Sequence, residues 1–190
     1  MQDGGVTKAA GDILKFWFEE TDEKLWFVST DAFDASIRQK FESLAVMLRA
    51  EMGSKPHSWE AQPDSHFALI IALDQFPRNM YRGTAASFAW DDKALEAAQR
   101  FVDKGWDLKI DQSRRAFAYM PFMHAEDVAA QAQCVRLVDS RLNDDSTLFH
   151  ARAHQKMITE FGRFPHRNAV LGRTNTPQET AYLKSGGYVP

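Results

Sequence analysis

The chain has 190 residues, 44% of them hydrophobic and 26% charged, and its 23 basic and 26 acidic side chains give a formal charge of −3. This length suits one domain with a core that needs no disulfide or metal staple, and the composition excludes a disordered chain. The acidity argues against a whole-surface basic field for nucleic acid, the single cysteine excludes an internal disulfide, and no apolar stretch approaches the about 20 residues of a membrane span.

Residues 1–10 read as loose, and MQDGGVTKAAGD lacks the basic start and apolar stretch of a secretory signal, so a cytoplasmic protein is expected. A first helix is predicted over Asp12–Glu20, with Phe16-Trp17-Phe18 and Trp26-Phe27 forming an aromatic cluster for packing. From Thr30 the apolar stripe Phe33, Ile37, Phe41, Leu44, Leu48 marks a long helix, capped by Thr30 or Asp31 and ended by Gly53 and Pro56. Shorter helices are predicted over Asp64–Phe76, Asp91–Asp103 and Asp111–Met120. After His124, Val128, Ala132, Val135, Val138 and Leu142 give a second long helix, expected near the centre of the fold. Ser146–Phe161 follows. Thr176-Pro177-Gln178-Glu179 then reads as a capping box with proline in the first turn, closed at Gly186, and residues 186–190 read as loose. No run alternates like a strand, and no hairpin turn lies between apolar runs. The expectation is one all-α domain over 1–190 with seven or eight helices, in a compact array or in stacked antiparallel pairs.

Two stretches repeat the same chemistry. Gln75-Phe76-Pro77-Arg78-Asn79 resembles Arg163-Phe164-Pro165-His166-Arg167-Asn168, and Gly83-Thr84 and Gly172-Arg173-Thr174 follow them. In both, a helix is expected to run into Phe-Pro and to end or kink there. From Gln75 to Trp90 and from Phe161 to Gln178 there is neither an acidic residue nor a lysine, only arginine and His166. The guanidinium fork suits bidentate binding of carboxylate or phosphate. Equally, Asp74, Asp91, Glu126 and Asp127 flank these segments and could pair with the arginines to fasten helix corners.

Four of the six histidines lie between 124 and 166. His124 and Glu126 are expected at a proline-broken corner, where they could do acid–base work or simply cap the next helix. His150 and His154 share a helix face, but Ala151 stands where a helical zinc protease carries its glutamate, and no metal or other cofactor is expected. There is no serine-nucleophile elbow, no phosphate loop and no dinucleotide fingerprint, and Cys134 reads as a core side chain.

The stretches ILKFWFEE (13–20), LDQFPRNMYRGTAASFAWD (73–91), YMPFMHAED (119–127) and HQKMITEFGRFPHRNAVLGRTNTPQE (154–179) together resemble the bacterial family known as domain of unknown function 924. The resemblance implies antiparallel helix pairs in a short tetratricopeptide-like right-handed superhelix; no 34-residue consensus repeat is visible. Ala125 stands where the family pattern often carries a serine. The family brings no activity with it.

Taken together, Arg78, Arg82, His124, Glu126, His154, Arg163, His166 and Arg167 are expected to converge on one concavity, supported by Asp74, Asn79, Asn168 and Arg173. Three readings follow. A cationic pocket could bind an anionic small molecule or an acidic peptide; an enzyme could act on an anionic substrate with a histidine as acid or base; or the polar corners could be structural, with no ligand site. No catalytic residue is assigned, neither nucleic acid nor membrane is expected as a partner, and the oligomeric state is left open.

Overall fold

Pro63 opens the helix around which the rest of the molecule is built. The computed structural model describes residues 3–28, 30–53 and 55–189, and within them eight α-helices and no strand. These are α1 (Asp3–Lys15), α2 (Asp31–Glu51), α3 (Pro63–Met80), α4 (Asp91–Asp103), α5 (Gln112–His124), α6 (Val128–Arg141), α7 (Asp145–Phe161) and α8 (Pro177–Lys184). Each helix from α2 to α7 packs on the next, and α3 also touches α1 and α5. Three-residue links join α5 to α6 and α6 to α7, so these packed neighbours must run antiparallel.

Almost every residue of α3 from Ser65 to Met80 is buried, so α3 and not α6 is the central helix. Its Phe67 and Phe76, with Phe41 from α2, Phe101 from α4, Phe117 from α5 and Trp17, form the aromatic heart of the core. Trp17 lies 5.9 Å from Phe76 and 5.8 Å edge-on from Phe117, and Phe41 stacks on Phe76 at 5.0 Å. Of the aromatic cluster near the N-terminus, Phe16 and Trp17 are therefore core, Phe18 and Trp26 pack half-buried against it, and Phe27 is 73% exposed.

Local signals placed several helix ends. Thr30 Oγ1 accepts from the Phe33 amide, and Phe33, Ile37, Phe41 and Leu48 are buried along α2. Thr176 and Glu179 form a reciprocal capping box on α8. The first helix starts at Asp3, nine residues before Asp12, and α2 ends at Glu51 without reaching Gly53.

Neither α3 nor α5 ends at its proline. Pro77 lies inside α3, which continues to Met80, and Pro121 lies inside α5, which continues to His124. A proline in mid-helix removes one amide donor and loosens the neighbouring turn. The carbonyl that loses its amide to Pro77 is that of Leu73; next to it, Arg78 Nη1 donates to the Asp74 carbonyl at 2.8 Å and Asn79 Nδ2 to that of Gln75 at 3.0 Å. At the end of α5, Gln131 Nε2 donates to the carbonyls of Met123 (2.7 Å) and Ala125 (2.8 Å). Those bonds also turn α6: Ala130, Gln131, Cys134, Leu137 and Val138 face inward, while Val128, read as core, is 56% exposed. The second Phe-Pro is of another kind. Gly162, at φ 71°, ends α7 before it, and Pro165–Arg167 form a short 3-10 turn.

Candidate functional site

Asp91, the first residue of α4, joins the two Phe-Pro segments. Its carboxylate accepts from both terminal nitrogens of Arg78, at 2.9 and 3.1 Å, and from Arg167 Nη1 at 3.0 Å. Arg78 also lies 3.5 Å from Oδ1 of Asp74. That same oxygen is 2.8 Å from Nδ1 of His124, and Gln75 Nε2 donates to the other oxygen at 2.6 Å. A continuous chain thus runs from Arg167 through Asp91, Arg78 and Asp74 to His124, alternating in charge as far as Asp74.

Both ends of that chain reach one hollow. A cavity of about 430 Å³ is lined by Ala85, Phe88, Ala89, Asp91, His124, Glu126, Arg167 and Leu171. Arg167 is only 6% exposed, and its guanidinium lies 4.4 Å from the centre of the Phe88 ring and 4.5 Å from that of Phe164. Its Nε has no hydrogen-bond partner among the described residues. Burial pulls the Arg167 pKa down to about 10, with Asp91 opposing and Arg78 adding to the fall. Three further hollows, of 330 to 440 Å³, lie along residues 51–58, between α4 and α6, and beside the start of α2. None of their lining residues has a buried polar side-chain atom without a partner.

Asp74 is fully buried; burial would raise its pKa, but Arg78 and His124 outweigh that and hold it at about 2. His124 is pulled down by burial and by Arg78 against the pull of Asp74. A neutral imidazole beside a carboxylate keeps its proton on Nδ1, which leaves Nε2 as an acceptor. Nε2 has no protein partner among the described residues.

The remaining expected residues separate into two groups. Glu126 lines the cavity, but its oxygens are taken by the Phe164 amide (2.8 Å) and by a fork from Arg173 (2.6 and 2.8 Å). Asp127, and neither His124 nor Glu126, caps α6 through the Ala130 amide. His154 and His166 pack against Phe164 and are not among the residues that line the cavity, and burial first of all takes them down to about 3 and about 4. The structure does not bring Arg82 or Arg163 to the cavity. Arg82 reaches back to Asp34 on α2, at 2.7 and 3.1 Å, and to Asn79. Arg163 forks onto Glu179 on α8, at 2.6 and 2.8 Å, where Asn168 also donates. Both long side chains find a carboxylate on the far side of their own corner. His150 bonds the Tyr188 hydroxyl at 2.8 Å, and among the described residues no three His, Cys, Asp or Glu side chains come together as a metal site would require. Phe88, Ala85, Ala89 and Leu171 carried no signal in the sequence, because an apolar wall looks like core until the fold exposes it.

The model of a family described as bacterial protein of unknown function (DUF924) matches residues 13–187. The chain belongs to this DUF924 family. The solved structure of a protein of unknown function from Agrobacterium tumefaciens is similar at a TM-score of 0.87, with 37% identity over 95% of this chain and 99% of that one. No curated protein matches. Within this DUF924 chain three of the four stretches that carry the family likeness supply every residue of the Arg167–His124 chain. No helix among the described residues is long and apolar enough to cross a membrane.

Proposed function

We propose that the cavity binds a small organic anion, which Arg167 holds by its anionic group. The observation that carries this reading is the state of Arg167: a buried guanidinium clamped between two rings, with one ion-pair partner and an Nε that has none. A buried donor without a partner is costly, and a bound anion would lower that cost for the guanidinium as a whole. The volume favours a small molecule over a peptide end, and the apolar wall of Phe88, Ala85, Ala89 and Leu171 suits a carbon body. An enzymatic reading is favoured by one further observation, the Asp74–His124 pair, in which a buried carboxylate orients a neutral imidazole as an acid–base group would need. On the same reading the helix pairs stack in the tetratricopeptide-like manner, supported by the succession of packed neighbours from α2 to α7. A cytoplasmic place suits the buried free thiol of Cys134.

The test is thermal unfolding at low salt with inorganic phosphate and with small mono- and dicarboxylates. An acid at a hundred times its Kd adds about 2.7 kcal/mol, which for a chain of this size raises Tm by roughly 5–10 °C. Added salt should reduce the shift. The shift should vanish in Arg167→Met, and also in Ala89→Trp, which blocks the cavity from an exposed position and leaves the ion pairs intact. No shift with any acid, or equal shifts in the wild type and both variants, would overturn the reading.

A further inference from the structure

The groups lining the cavity limit what else the ligand must carry. Asp91 spends its carboxylate on Arg78 and Arg167, and Glu126 spends its own on Arg173 and the Phe164 amide. The rest of the wall is apolar. Two polar side-chain groups are left to meet a ligand: the guanidinium of Arg167 and Nε2 of His124.

The charges around His124 fix what Nε2 can offer. Asp74 and Arg78 face it from α3, Asp91 from α4 and His154 from α7, and Glu126 and Arg167 line the same cavity. Asp74 holds Nδ1 at 2.8 Å and is itself fastened by Gln75 and Arg78, so the ring can neither turn nor exchange tautomer without breaking a buried bond. Nε2 therefore presents a lone pair. An anionic oxygen would be repelled there, and an alkyl group would leave the acceptor unpaired.

We propose, resting on the anion reading above, that the ligand is a small hydroxy acid whose anionic end sits on Arg167 and whose hydroxyl donates to Nε2 of His124. His124 is then a specificity-determining residue, and Asp74 is the positioning residue that sets its tautomer. A site with a fixed acceptor for a hydroxyl discriminates strongly against the analogue that lacks one.

The experiment has two arms. Calorimetric titration compares lactate with propionate and malate with succinate, each pair differing by one hydroxyl. In the wild type the hydroxylated member of the better-binding pair should bind at least about tenfold tighter. In His124→Phe that ratio should fall towards one with the deoxy acid little changed, and Arg167→Met should lose both. Equal affinities within both pairs would overturn the hydroxyl assignment and leave the anion site standing, whereas no binding of any of the four would remove both. In the second arm, ¹⁵N spectra of the unliganded wild type at pH 7 should show the His124 ring neutral and protonated on Nδ1. A ring protonated on Nε2 would overturn the proposal whatever binds.

Discussion

Lowering the pH from 6 to 5 is expected to remove about 3 kcal/mol of folding stability. The effect comes from histidines that are buried neutral. Burial holds His66 at about 4, with Glu60 opposing, and His154 at about 3, with His124, Arg167 and His166 reinforcing the fall. In the unfolded chain both take up a proton near about 6.5. Between that value and about 4 the unfolded state binds more protons, so stability is fully present above about 6.5 and falls with pH at about 1.4 kcal/mol per unit for each group. His166 adds to the slope, but less, because it is only half-buried. Asp74 and Glu179, both held at about 2, keep their contribution throughout this window and lose it only as the pH falls from about 4 towards 2. Urea unfolding at pH 7, 6 and 5 checks the slope. His66→Phe, which keeps a ring against Phe101 and Trp106, should remove about one proton's worth of it. A free energy that stays flat from pH 7 to 5 would mean that these rings are not buried as described.

Replacing Asp74 by alanine should cost about 3 kcal/mol, the lower end for breaking a buried ion pair from one side. The lower end applies because Arg78 keeps its fork on Asp91. The cluster then holds a surplus positive charge, and the Nδ1 hydrogen of His124 and the amide of Gln75 lose their acceptor. Asp74→Asn should also be destabilising. Its oxygen can serve His124 or Gln75, but its NH₂ must then face the other donor. Asp139→Ala, which removes an exposed pairing with Arg152, is the control and should change little. The measurement is the urea midpoint with an unchanged m-value.

What the sequence made legible was local. The Thr30 cap, the apolar face of α2 and the capping box at Thr176 are settled within a few residues, and the structure has them. Neither Pro77 nor Pro121 ends its helix, because both helices are held by packing against several neighbours, which no local pattern reports. The inward face of α6 was misplaced for the same reason: Gln131 is polar by type and buried by its bonds. The arginines show the limit most clearly. Arg78 and Arg167 meet on Asp91, whereas Arg82 and Arg163 close onto Asp34 and Glu179. All four have the same composition around them, and only the tertiary partner tells an incompletely paired guanidinium from a saturated one.

That difference supplies the most direct test of the account. In ¹H–¹⁵N spectra of the arginine side chains the Nε–H groups are told apart by their partners: that of Arg167, whose guanidinium lies against the rings of Phe88 and Phe164, has none among the described residues, while those of Arg163 and Arg173 are locked to Glu179 and Asn168. Titration with the acid that most raises Tm should move the Arg167 resonance, saturably and together with those of His124, and leave Arg163 and Arg173 in place. Shifts confined to Arg163, Arg173 or other surface arginines, with Arg167 unmoved at saturation, would contradict the account and make the buried chain from Arg167 to His124 a structural fastening alone.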